Sequence, residues 1–116
     1  MAKINDTIYA LSTPPGKSAI AVIRISGKKA FHYVSKISSS MPTKPNKSVV
    51  NKLLDIKGDI IDQTITTYYK SPNSFTGEDV IEISCHGGEM VPRSIIKAAI
   101  DIGIRNANPG EFSYRA

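Results

Sequence analysis

The sequence contains a single cysteine, no tryptophan and two histidines. Because a lone cysteine cannot form an internal disulfide, a reducing, cytoplasmic location is expected. The two histidines and Cys85 lack the spacing of a metal-binding motif, so no metal site is predicted. No apolar run approaches the ~18–20 residues that span a bilayer. The N-terminus lacks the apolar core and cleavage site of a signal peptide, so none is predicted.

The composition predicts one soluble globular domain over residues 1–116, with 41% hydrophobic and 22% charged residues. The net charge of +5 is uneven, since residues 1–57 carry +8 and residues 58–116 carry −3. A basic half can meet an anion such as RNA or a polyglutamate tail, or its lysines can simply solvate the surface. No aromatic residues interleave with these lysines, as they would on a nucleic-acid stacking platform.

The stretch Pro72–Gly88 is the most informative part of the chain. It begins as a loop rich in turn formers and continues as a strand from Val80 to Cys85, in which apolar and polar residues alternate. Glu82 lies in the middle of this strand, where a carboxylate must be solvated or paired. Two interpretations follow: the polar face of the strand meets water, or Glu82 binds a ligand.

The remaining patterns predict about five strands and two or three helices. Ser26 is expected to cap the first helix, because serine is a preferred N-cap residue. Arg24 interrupts an apolar strand, so it either reaches the surface along its alkyl stem or meets an anionic or planar partner. The other strands are predicted over residues 7–12, 19–25, 49–56 and 60–69, and residues 104–107 allow a further short strand. The helices are predicted after Gly27, over residues 91–102 and from Glu111.

The letters GKS at Gly16–Ser18 invite a comparison with the phosphate-binding P-loop. That motif needs a glycine five residues before its second one, and the residue there is Leu11. The prolines that precede the segment also remove backbone N–H donors. We therefore predict no GTPase site in this chain.

Three separated motifs carry a resemblance to a known family. They read DTIYALSTPPGKSAIAVIRISG at residues 6–27, SPNSFTGEDVIEISCHGG at 71–88 and NPGEFSYRA at 108–116. Together they resemble the N-terminal domain of the MnmE (TrmE) family of bacterial tRNA-modification GTPases. The resemblance implies an α+β fold with a mixed β-sheet, similar to the folate-binding domain of the glycine-cleavage aminomethyltransferase. It also implies a homodimer that binds the reduced folate 5-formyltetrahydrofolate.

For the parent protein, the resemblance implies a helical domain, an inserted GTP-binding domain that uses potassium and magnesium, and a C-terminal cysteine motif. It implies tRNA as the substrate, modified at the wobble uridine together with the flavoprotein MnmG (GidA), and no membrane. Two functions of other classes stay open: an RNA-binding adaptor that uses the basic half, and a purely structural dimerisation domain.

Residue by residue, the folate contacts of the family fall on Arg24 and Glu82. One carboxylate can accept both the ring amide N–H and the exocyclic amino group of a pterin. Arg24 can donate to a ring carbonyl, stack on the ring or pair with the ligand's carboxylates. Asn73, Gly77 and Glu78 are assigned to pocket shape or the dimer interface, with turn chemistry as the alternative. Further family contacts fall downstream of residue 116, so an incomplete pocket is expected.

Overall fold

The fold is known from a computed structural model that describes residues 6–13 and 19–116. The GKS letters therefore lie outside the described residues. The elements in chain order are β1 (Ile8–Leu11), β2 (Ile20–Ser26), α1 (Ala30–Ser35), β3 (Ser48–Leu54), β4 (Ile60–Tyr69), β5 (Val80–His86), α2 (Met90–Asp101), β6 (Arg105–Asn106) and α3 (Glu111–Arg115).

The strands form one sheet in the order β3-β4-β5-β2-β1-β6. All neighbours pair antiparallel except β1 and β6, which are parallel, so the sheet is mixed. The predicted α+β class is confirmed. The sheet has six strands rather than about five, because the last predicted strand forms a two-residue pairing with β1. No helix in the described part of the chain is long and apolar enough to cross a membrane.

The hydrophobic core lies between one face of the sheet and the helices α1 and α2. Strand residues such as Ile23 and Ile83 are fully buried there, together with Val34 of α1 and Ile95 of α2. Burial of this apolar surface is the main stabilising contribution to such a fold. Helix α2 ends at Asp101, and Gly103 follows at a φ of 110°, a left-handed conformation that glycine commonly adopts after a helix.

The other side of the sheet, which we call the open face, carries the side chains that alternate with the core residues. The pairing register places them in rows across the strands. One row contains Thr67, Glu82, Arg24 and Ala10, and the next row contains Val50, Ile65, Ser84 and Val22. The first row runs across five strands, since Ser48 of β3 pairs with Thr67, and the second runs across four, so residues distant in sequence become neighbours there.

The prediction that Ser26 caps the first helix is wrong. Ser26 is the last residue of β2, and α1 begins only at Ala30, with Lys29 in the N-cap position and no side-chain cap. The Ser26 hydroxyl instead donates to Glu78 Oε1 at 2.8 Å. Gly27 follows with a φ of 151°, and a Cβ there would lie 2.9 Å from the backbone of Thr7. The local sequence correctly indicated a turn after β2, but the Ser26 hydroxyl binds Thr76 and Glu78 of a distant loop instead of capping the helix.

Candidate functional site

Arg24 and Glu82 face each other on the open face of the sheet. They are direct partners in the β2–β5 register, and Arg24 Nε donates to Glu82 Oε2 at 2.8 Å. The side chains keep 38% and 25% of their surface exposed. The sequence predicted both residues, and the structure brings them together. The pair is thus accessible to a ligand.

The single hydrogen bond between Arg24 and Glu82 leaves other donors and acceptors of the two side chains available. Within the described residues no protein donor reaches Glu82 Oε1, and Arg24 makes its side-chain hydrogen bond through Nε alone. A carboxylate accepts at both oxygens, and a guanidinium carries five N–H donors. Glu82 Oε1 can therefore accept hydrogen bonds from a ligand, and the Nη groups of Arg24 can donate to ligand acceptors beside it.

Phe75, which was not among the predicted site residues, borders this pair. The guanidinium carbon of Arg24 lies 5.9 Å from the centroid of the Phe75 ring, and Phe75 is 55% exposed. The sequence could have indicated Phe75, because it is a large aromatic residue within a run of turn-forming residues. The distance is within the range of a cation–π contact.

The motif loop, which we define as residues 71–79, carries the three further predicted residues. Asn73 and Gly77 are exposed turn residues, and Gly77 has a φ of 81°. The backbone N–H of Asn73 donates to the carbonyl of Lys70, and that of Gly77 to the carbonyl of Ser74. Neither is hydrogen-bonded to Arg24 or Glu82 among the described residues, so their roles stay predictions.

Glu78 connects the motif loop to the C-terminal helix. Besides accepting from Ser26, its Oε1 accepts from Arg115 Nη1 at 3.1 Å. Arg115 also donates to Asp6 and Glu111, which both bind Arg105 as well. We call this group of five side chains the α3 cluster: Asp6, Glu78, Arg105, Glu111 and Arg115. It joins segments up to 109 residues apart in sequence.

The α3 cluster changes the ionisation of its members. The hydrogen bond from Arg105 is the largest cause that lowers the pKa of Asp6 to about 2 and that of Glu111 to about 2. The same bonds raise the pKa of Arg105. The sequence signal for part of the cluster was the opposite charge of Glu111 and Arg115 at i,i+4 spacing.

Other polar groups are placed away from the pair. Cys85 is buried in the core, and its pKa is raised to about 11, chiefly by burial. No group of three His, Cys, Asp or Glu side chains in residues 6–13 and 19–116 is disposed to hold a metal ion. A cleft of about 550 Å³ lies between the β3–β4 turn and α2, and none of the five predicted site residues lines it. The Arg24–Glu82 pair thus lies on the open face, away from this cleft.

Comparisons with a family model and with individual proteins match nearly the whole chain to the same family. The family described as GTP-binding protein TrmE N-terminus matches residues 7–116. The chain is 45% identical over 112 residues to the tRNA modification GTPase MnmE of Aliarcobacter butzleri, which is 97% of this chain and 25% of that protein. The MnmE proteins of Pseudothermotoga lettingae and Bdellovibrio bacteriovorus are 47% and 45% identical, over 96% of this chain and 25% and 24% of their own lengths.

The chain thus spans about a quarter of the length of these relatives. The family match begins at Thr7, so it covers all three motifs apart from Asp6, and it includes the strands that carry Arg24 and Glu82. This chain belongs to the TrmE N-terminal family.

Proposed function

We propose that this chain is a 5-formyltetrahydrofolate-binding and homodimerisation domain of a cytoplasmic GTPase that modifies the wobble uridine of tRNA. The observation that carries the folate part is the Arg24–Glu82 pair on the open face, with Glu82 Oε1 free of protein donors among the described residues. A pterin ring presents two adjacent donors to a carboxylate and a carbonyl to a guanidinium.

The parent activity is proposed from the relatives, whose name is tRNA modification GTPase MnmE. GTP, potassium and magnesium would bind in the part of the protein outside this chain, and the chain itself would hold no GTPase site. tRNA is the proposed substrate and the flavoprotein MnmG (GidA) the proposed partner of the whole protein. This domain would bind and orient the folate, and the folate would supply the one-carbon chemistry when bound.

The chemistry of the pair explains how the site would hold the ring. Glu82 Oε1 would accept from the pterin donors, while Arg24 Nε keeps Oε2 in place at 2.8 Å. Arg24 Nη groups would donate to the ring carbonyl. Because the two residues are anchored on adjacent central strands, their separation is fixed before the ligand arrives.

Glu82→Gln tests this proposal. The substitution keeps the size of the side chain but replaces one acceptor with a donor, which would face a pterin donor and lose a charge-assisted pair. We expect the affinity for 5-formyltetrahydrofolate to fall by roughly 30- to 1000-fold, or ~2–4 kcal/mol. Calorimetric titration of both proteins measures this loss.

Melting curves show whether Glu82→Gln remains folded. Equal folate affinity in two folded proteins would remove Glu82 from the site. Absence of binding to the unaltered chain would favour the purely structural dimerisation domain. A salt-dependent shift of tRNA by the chain without folate binding would favour the RNA-binding adaptor instead.

A further inference from the structure

We propose that Phe75 is the stacking wall of the Arg24–Glu82 site and packs against the face of the pterin ring whose edge the charged pair binds. This inference rests on the proposed folate binding and adds to it a residue that recognises the ring by its flat surface. Three observations carry it: the place of Phe75 beside Arg24, its exposure, and the way its neighbours in the loop are held.

Phe75 is placed where a ring bound to the pair would meet it. Its centroid lies 5.9 Å from the guanidinium carbon of Arg24, which is itself bonded to Glu82. That distance is near the outer limit of a cation–π contact, so the guanidinium covers the ring only loosely. Phe75 keeps 55% of its surface exposed. An aromatic face is therefore left for a planar ligand, for which offset stacking is favoured.

The loop holds Phe75 in this position through the residues on both sides of it. Thr76 is 3% exposed, and its hydroxyl lies 2.7 Å from that of Ser26 at the end of β2. Since Ser26 has one hydroxyl proton and donates it to Glu78, Thr76 is the donor to Ser26. On the other side, the Ser74 hydroxyl donates to the carbonyl of Glu78.

Further hydrogen bonds close the base of the loop. The Ser71 hydroxyl donates to the carbonyl of Gly77 at 2.9 Å, and the Ser71 N–H donates to Asp79 Oδ1 at 2.8 Å. Glu78 is in turn bound by Arg115 of α3. The backbone around Phe75 is thus fixed while the ring itself projects from the loop. A rigid loop that presents one exposed aromatic side chain loses little conformational entropy on binding.

The experiment compares Phe75→Leu, which keeps apolar bulk but has no aromatic face, with Phe75→Tyr, which keeps the ring. We expect Phe75→Leu to bind 5-formyltetrahydrofolate about three- to tenfold more weakly than the unaltered chain, and Phe75→Tyr to bind within about twofold of it. Tyr114→Leu is the matched control, because Tyr114 is an aromatic residue of α3 that is 77% exposed. It is expected to leave the affinity unchanged.

A reduced pterin without the benzoylglutamate tail identifies the ring that is stacked. If Phe75 contacts the pterin, Phe75→Leu weakens this smaller probe by the same factor as the full folate. A loss seen only with the full folate would overturn the assignment to the pterin.

Because the chain has no tryptophan, Phe75→Trp adds a direct readout. The fluorescence of Phe75→Trp should be quenched as the folate binds. The fluorescence of Tyr114→Trp should decrease only as much as expected from the light that the added folate absorbs. Folate binding by the unaltered chain, with equal affinity in folded Phe75→Leu, would overturn the role of Phe75 and leave the proposed function intact. No folate binding by the unaltered chain would overturn the proposed function, and the stacking role with it.

Discussion

At the scale of single residues, the sequence pattern predicted Arg24 and Glu82 individually but did not predict their contact. Glu82 was identified because a carboxylate interrupts an alternating strand, and Arg24 because a cation interrupts an apolar one. Their contact was not predictable from either strand alone. It depends on the pairing of β2 with β5, which brings together residues 58 positions apart.

Arg24→Lys separates the charge of Arg24 from its shape. Lysine keeps the positive charge but has no planar fork to hold Glu82 and a ring carbonyl together. We expect folate affinity to fall by about five- to twentyfold. The free energy of unfolding should change by less than ~1 kcal/mol, since the pair is partly exposed. Calorimetric titration and denaturant unfolding measure the two quantities.

Arg24→Gln is the comparison for this prediction, because it removes the charge while keeping a polar side chain. It should bind more weakly than Arg24→Lys. If Arg24→Lys binds folate as tightly as the unaltered chain, the planar group is not used. A large loss of stability in either variant would instead indicate a structural role for Arg24.

At the scale of elements, the predictions succeeded where a local pattern determines the structure. The strands predicted over residues 49–56 and 60–69 are β3 and β4, which pair as a hairpin, and the helix predicted over residues 91–102 is α2. They failed at Ser26, whose hydroxyl is bound by a loop 50 residues away. The α3 cluster was also missed as a whole, since its five side chains come from four separate segments.

The α3 cluster gives a pH-dependent contribution to stability. Glu111 has a folded-state pKa of about 2 against an ordinary value of 4.5, so the unfolded chain binds protons that the folded chain does not. Its contribution is therefore complete above pH 4.5 and is lost as the pH falls to about 2. Asp6, with its pKa lowered to about 2, acts in the same direction.

Glu111→Gln tests this contribution. Because Glu111 is 8% exposed and Arg115 is 3% exposed, the substitution removes one of the three carboxylates that pair with the buried Arg115 guanidinium, the others being Asp6 and Glu78. We expect the free energy of unfolding at pH 7 to fall by ~2–3 kcal/mol. The difference between the two proteins should shrink between pH 4.5 and pH 2, as measured by urea unfolding across that range.

Glu89→Gln is the control for Glu111→Gln, since Glu89 is an exposed carboxylate at the start of α2. It should change stability by less than ~1 kcal/mol. A difference between Glu111→Gln and the unaltered chain that stays constant from pH 7 to pH 2 would contradict the titration of Glu111.

At the scale of the whole molecule, the two faces of the sheet differ in how they are covered. The helices α1 and α2 bury one face, whereas the open face exposes aliphatic residues to solvent. Val50 is 61% exposed, and Ile65, its partner across the β3–β4 pairing, is 51% exposed. Adjacent exposed aliphatic side chains on a sheet are typical of an interaction surface.

The open face is accordingly where we expect the proposed homodimer to form. A two-fold dimer buries the same patch of both subunits, so a single substitution introduces two changes at the interface. Ile65→Lys would place two charges in that interface, and it should shift the protein from dimer to its 12.6 kDa monomer in sedimentation experiments at high concentration. Ile100→Lys is the matched control, because Ile100 is 52% exposed but lies on α2. It should leave the dimer intact.

A monomer for the unaltered chain would contradict self-association, whereas a dimer that survives Ile65→Lys would place the interface elsewhere on the molecule.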